Sequence, residues 1–258
     1  MTPAQLSRTV RHAWSRAVAE GALPGPAEPP DRVTLRRPPH GDADYASNLA
    51  LRLAAGTGRP AAEVAAVLRD RLAAEPGIAR VEVCGPGFLN ITLVDRGVGL
   101  VAALLARPRP ATLPEDPARD AARWAALTGE PPTFARRPSS PLFRVQYARA
   151  RTVALREGAR ALGLTARPGA LSGAAEEVLT ALLADAARLA DAALARHLVK
   201  TADAFFDVLY APPQRSVLPV GDEKPGAAHR ARLALAEATG AVLAGGLTQL
   251  GISAPDHL

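Results

Sequence analysis

Residues 141–162, PLFRVQYARARTVALREGARAL, decide how the second half of this chain is built. They read as one helix from Leu142 to Leu162, and the i,i+4 spacing of Tyr147 and Arg151 sets an aromatic ring beside a cation on one helical face. Working toward the C-terminus, Ser172 is placed to cap a second helix with Glu176 in its first turns. Leu179, Leu182, Leu183 and Ala186 mark the apolar stripe of that helix. Leu194, Leu198, Phe205, Phe206 and Leu209 continue the stripe on a separate helix, and Ala211 to Pro225 form a proline-bearing loop. A last helix runs from about Pro225 to Gly251, with Leu235, Val242, Leu243, Leu247 and Leu250 along one side. None of these helices can bury its stripe alone, so residues 141–258 are expected to form an all-α helical bundle.

Toward the N-terminus the pattern changes. Residues 107–140 are rich in proline with little periodicity, which predicts a Pro/Arg-rich linker carrying one short helix around Ala118 to Leu127. Trp124 in that helix reads as a packing anchor rather than a base-stacking ring. Residues 1–106 mix periods. Leu6, Val10, Ala13, Trp14, Ala17 and Val18 share one helical face over residues 4–20. Gly21 to Pro30 is a loop, and Arg32 to Arg37 alternates like a short strand before Pro38 and Pro39. Asp42 or Asp44 is positioned to cap a helix over Tyr45 to Ala55 that stops at Gly56, and Pro60 suits the first turn of a helix running to about Glu75. Ala79 to Cys84 alternates through Val81 and Val83. After a Gly-Pro-Gly turn, Phe88, Leu89, Ile91 and Leu93 form a second strand, and residues 95–106 are weakly helical. The expectation is a small α+β domain, an antiparallel sheet covered by helices on one face.

Composition narrows the function classes. Of 31 basic residues only Lys200 and Lys224 are lysines, and the net charge is +6. Planar guanidinium groups bind phosphate bidentately and stack on bases, so an arginine excess suits nucleic acid; a GC-rich genome writes the same Ala-, Arg-, Pro- and Gly-rich composition in any gene. With 48% apolar residues but only 4% aromatic ones, the core must be aliphatic. Cys84 is the single cysteine, so neither an internal disulfide nor a cysteine metal cluster can form, in keeping with a reducing cytoplasm. The first residues lack the apolar run of a signal peptide, and no stretch is long and apolar enough to predict a membrane span.

Motifs for chemistry are missing. His12, His40, His197, His229 and His257 fall in no metal-binding spacing. His40, Asp42 and Asp44 could be presented together to a metal by alternate spacing, although caps and turns are the commoner use of such residues. There is no phosphate-binding GxxxxGK[ST] loop, no dinucleotide-binding glycine fingerprint after a strand, and no GxSxG elbow. Neither a catalytic constellation, a cofactor nor a metal is predicted.

Four blocks carry a resemblance. GDADYASNLALRLA (residues 41–54) and CGPGFLNITL (84–93) resemble the additional N-terminal domain of arginyl-tRNA synthetases, on Gly41-Asp42, Tyr45, Asn48, Leu49 and Gly85-Pro86-Gly87-Phe88-Leu89-Asn90. The family writes GDY, whereas here Ala43-Asp44 stands before Tyr45. PLFRVQYARAR (141–151) and RLALAEATGAVLAGGLTQLGISAPDHL (232–258) resemble the family's helical anticodon-binding domain. HLVKTADAFFDVLY is similar to the family's YLxxLAxxFxxFY, with His197 and Leu209 in place of aromatics. The resemblance implies that Phe88 and Asn90 meet the D-loop of tRNA, a ring stacking on a splayed base and a carboxamide reading its edge; the alternative for Phe88 is an inward-packed strand residue. It implies likewise that Tyr147 and Arg151 contact the anticodon loop, that Arg149, where the family often has histidine, adds charge for phosphate, and that Leu258 stands where a terminal methionine packs by the anticodon. The several hundred residues that carry ATP and arginine chemistry in the family, with an HxGH stretch and a KMSKS-like lysine loop, have no counterpart between the two pairs of blocks. The expected protein is a non-catalytic tRNA binder, arginine tRNA being its partner. The alternatives are an accessory subunit that acts with a full synthetase or another enzyme and no longer touches tRNA itself, and an enzyme with an unrecognised site.

Overall fold

The computed structural model describes residues 1–258 apart from 27, 28, 32, 39 and 96. The chain divides into two compact units, Met1–Gly99 and Leu100–Leu258.

The first unit opens with helix α1, Pro3–Ala19, started by a capping box in which Thr2 Oγ1 accepts from Gln5 N and Gln5 Oε1 accepts from Thr2 N. Its Leu6, Val10, Ala13, Trp14 and Ala17 are buried, the face the spacing predicts. Strands β1 (Leu35–Arg36), β2 (Tyr45–Ser47), β3 (Ile78–Cys84) and β4 (Phe88–Leu93) form one antiparallel sheet in the order β1-β2-β4-β3. Of the expected first strand, Leu35 and Arg36 pair; Arg32 and Pro39 lie outside the described residues, as do two positions of the loop before it and residue 96. Helices α2 (Leu49–Thr57) and α3 (Ala61–Ala73) follow the expected order, but the helix predicted from Tyr45 begins only at Leu49. Tyr45, Ala46 and Ser47 instead lie opposite Ile91, Asn90 and Leu89, because the open edge of β4 offers them backbone partners. Neither aspartate caps α2. Asp44 Oδ2 accepts from Leu93 N (2.7 Å), and Asp42 pairs with Arg80 (2.9 Å). Leu49, Leu68, Leu72, Leu89 and Ile91 pack around Trp14 in one core, so the helices cover one face of the sheet.

A glycine is required in the β3–β4 hairpin. Gly87 has φ +140°, and a Cβ there would lie 2.8 Å from the Ala61 carbonyl oxygen, so any side chain would collide with the start of α3.

The second unit is helical: α4 (Val98–Leu105, which starts at the end of the first unit), α5 (Pro117–Thr128), α6 (Pro141–Ala161), α7 (Ala174–Asp185), α8 (Asp191–Leu209) and α9 (Ala227–Gln249). The sequence places the boundary at residue 106, with 107–140 as a linker. In the structure Leu100, Val101 and Leu104 of α4 are buried in the helical core, and so is Trp124 of α5. Short helices with one apolar side gain most by adding it to a larger core, which draws the linker into this unit. Asp116 caps α5 by accepting from Arg119 N, 3.0 Å. The expected cap at Ser172 is absent: Gly173 occupies the cap position of α7, and Glu176 turns inward, accepting from Arg232 Nε of α9 at 3.1 Å. Helices α6 and α9 cross closely at Gly240, where a Cβ would overlap the Thr152 hydroxyl. Among the described residues no helix is long and apolar enough to cross a membrane.

Candidate nucleic-acid interface

In the second unit, aromatic side chains of α6 and α8 form a row. Phe143 and Tyr147, one helical turn apart, stack with ring centroids 5.5 Å apart and planes 10° apart. Tyr147 stacks on Phe206 across the helix pair (5.9 Å, 30°), and Phe206 stacks on Tyr210 of the next turn (5.9 Å, 14°). Phe143, Tyr147 and Phe206 are half-buried, while Tyr210 is 68% exposed. Phe205 is fully buried beneath, tilted 49° to Phe206. The sequence stripe grouped Phe205 with Phe206, but neighbouring residues on a helix point about 100° apart, so one ring enters the core and the other reaches the surface row. The Arg144 guanidinium lies 5.7 Å from the Phe206 ring centroid and also pairs with Asp203. Rings and an arginine along a half-exposed row are the components with which proteins stack unpaired bases.

The other expected residues of this unit separate into two groups. Arg151 follows Tyr147 by one turn and is half-buried, its buried Nε without a hydrogen-bond partner. Leu258, 41% exposed, lines a cavity of about 200 Å³ with Phe134, Phe143 and Gln146. Phe143 thus joins Tyr147, which stacks on it, to the end of the chain. Arg149 is not part of this arrangement. It lies about 200° around the helix from Tyr147, its side chain is 13% exposed, and its Nη2 donates to Asp256 Oδ1 at 2.6 Å. Burial lowers the Arg149 pKa from its ordinary value; Asp256 opposes that shift, while Arg156 and Arg109 add to it.

A buried carboxylate fixes the segment before Leu258. Asp120 of α5, 2% exposed, accepts from Ser253 N (3.1 Å), from Ser253 Oγ and from Arg119 Nη2 (2.9 Å). Gln146 Nε2 of α6 donates to Ser253 O (3.1 Å). The stretch read as a linker therefore holds the C-terminal segment beside the aromatic row.

In the first unit the candidate residues lie on the outer face of the sheet. Leu89, Ile91 and Leu93 point into the core, so period-two alternation turns Phe88 and Asn90 outward. Phe88 is 41% exposed, and Asn90 Nδ2 donates to Cys84 Sγ (3.3 Å) on the paired strand. Register adds a residue that sequence reading missed. Arg36 lies opposite Ala46, Ala46 opposite Asn90, and Asn90 opposite Glu82. Directly opposed residues share a face, so exposed Arg36 stands two strands from Asn90, about 10 Å away at normal strand spacing. Nothing in the sequence announces this, because strand pairing is a long-range choice. For Phe143 the i,i+4 spacing to Tyr147 was the available signal, and for Tyr210 its spacing to Phe206. Of the candidate metal group, Asp42 and Asp44 are committed to Arg80 and Leu93, and no group of metal-ligating side chains occurs among the described residues.

Comparison with known proteins falls into the same two parts. Residues 4–93 match the arginyl tRNA synthetase N terminal domain, and residues 145–258 match the DALR anticodon binding domain. Curated relatives include proteins named arginine–tRNA ligase from Frankia alni (46% identical over 108 residues, 42% of this chain and 19% of the relative), Kineococcus radiotolerans (42% over 113 residues, 43% and 20%) and Renibacterium salmoninarum (42% over 104 residues, 40% and 19%). Each match spans about a fifth of the relative's length, and only residues 94–144 stand between the two matched domains. The chain is an arginyl-tRNA synthetase-related protein that carries the N-terminal and DALR anticodon-binding domains of that family, in that order.

Proposed function

We propose that this chain binds tRNA, of the arginine type, without charging it. The observation that carries the reading is the row Phe143–Tyr147–Phe206–Tyr210 with Arg144 beside it, in a domain of a family that takes its name from anticodon binding. Single-stranded loops offer unstacked bases to such rings, and each stacked base contributes about 1–3 kcal/mol. Arg151, next along α6, supplies a cation for the loop backbone, and Leu258 supplies apolar contact beside Phe143. On the first unit Phe88 and Asn90 take a D-loop base, with Arg36 on the same sheet face for a phosphate. The non-catalytic part of the proposal rests on the 51 residues between the two matched domains: those described among them form α4, α5, the first turn of α6 and the connections between these helices, and α4 and α5 add to the helical core.

Filter binding with an arginine-tRNA transcript over a salt series tests binding. The expected result is tight association at low salt that weakens steeply as salt rises, because bound arginines displace counterions. Absence of binding at low salt ends the proposal. Incubation with ATP, arginine and tRNA is expected to give no arginyl-tRNA, and charging above background overturns the non-catalytic half.

A further inference from the structure

The side of α6 facing away from the aromatic row borders a cavity of about 460 Å³ within the second unit. Its charged lining is Arg107, Arg109, Arg149 and Arg156 against Glu237 and Asp256, two more cations than carboxylates. Arg149 and Arg156 are seven residues apart and so lie on one face of α6, two turns from each other. The Nε atoms of both are buried without a hydrogen-bond partner. Thr152, between them, spends its hydroxyl on the Arg149 carbonyl oxygen, 2.7 Å away. Guanidinium groups drawn together in a recess repel one another unless an anion sits among them. The chain sets two carboxylates against these four cations, and of these Asp256, whose side chain is 55% exposed, rests on Arg149.

We infer that this cavity is a binding site for a small phosphate-bearing anion, held by Arg149 and Arg156 with help from Arg109, and that Asp256 occupies part of it as an internal stand-in. A diphosphate presents phosphoryl oxygens on two groups, and planar guanidinium forks bind such oxygens bidentately. The site goes beyond the tRNA reading, because it uses the opposite face of α6 and none of the four rings.

Isothermal titration of the full chain with inorganic pyrophosphate tests the inference. The expected result is saturable binding at one site. Arg156→Gln and Arg109→Gln should each weaken it, the former about tenfold, as befits the loss of a charge-assisted pair. Asp256→Asn should strengthen it several-fold by removing the competitor. Arg109 is exposed and outside every helix, so its variant separates loss of the ligand from loss of the fold. Lack of saturable binding in the parent chain, or equal affinity in the parent and both arginine variants, overturns the proposal. Tyr147→Ala should leave pyrophosphate affinity unchanged, which keeps this outcome distinct from failure of the tRNA reading. A competition with tRNA identifies the source of the phosphate: displacement assigns the site to the RNA backbone, and simultaneous binding assigns it to a free phosphorylated compound.

Discussion

The two units present their candidate sites in different ways. In the first unit the site lies on the open face of a sheet, where strand alternation exposes Phe88 and Asn90 singly and only hairpin register brings Arg36 into the same row. In the second, four rings from two helices touch one another, so the site is a by-product of how α6 and α8 pack. A sheet face tolerates replacement of one outward side chain, because its neighbours are fixed by backbone bonds. A ring row does not, because each ring is positioned by the next. Mutation in the second unit should therefore spread further than in the first.

The cores offer the largest effect on which to break this comparison. Trp14 fills the centre of the first unit, fully buried, with its indole Nε1 donating to Pro26 O at 2.9 Å. Trp14→Ala should cost that unit about 3–5 kcal/mol, the usual range for deleting a large buried aromatic, measured by urea denaturation. Next comes Asp120→Ala, which strands the Ser253 amide and hydroxyl donors in the second unit. We expect a loss of about 2 kcal/mol and faster proteolysis after residue 250; unchanged proteolysis would show that Asp120 does not hold the C-terminal segment.

Binding effects are smaller and bear directly on the two kinds of site. Phe206→Ala should weaken tRNA binding by about tenfold, within the range for one stacked base, and Tyr147→Ala should be non-additive with it because the rings touch. Additive losses would mean that the row acts as separate rings. Phe88→Ala should cost about fivefold, at the lower end of that range, with no change in stability. Smallest is Arg36→Gln, expected to weaken binding about twofold and to lower the salt slope by roughly one phosphate contact. An unchanged slope would remove Arg36 from the first unit's site.

Much of this was legible from particular residues. Leu6, Val10, Ala13, Trp14 and Ala17 declared the first helix by spacing, and the alternation through Leu89, Ile91 and Leu93 declared β4 and turned Phe88 outward. Other readings failed for identifiable reasons. Tyr45 to Ser47 had helix-like neighbours, yet the free edge of β4 claimed them. Ser172 looked like a cap, but Glu176 found Arg232 and Gly173 took the cap position. Arg149 and Arg151 stand together in the motif, whereas the helix turns them to different sides, one toward an arginine-lined cavity and one toward the rings.

Local spacing and motif content, by themselves, determined the two kinds of unit, the number and order of most elements, and kinship with arginyl-tRNA synthetases at both ends of the chain. Those properties depend on side-chain period and on short runs of residues, which the sequence states directly. Tertiary structure alone decided that α4 and α5 join the helical core, that Phe206 and Tyr210 extend the ring row begun by Phe143 and Tyr147, and that Asp120 reaches Ser253. Each of these is a contact between residues far apart in the chain, chosen by which apolar faces and buried polar groups find partners once the helices pack.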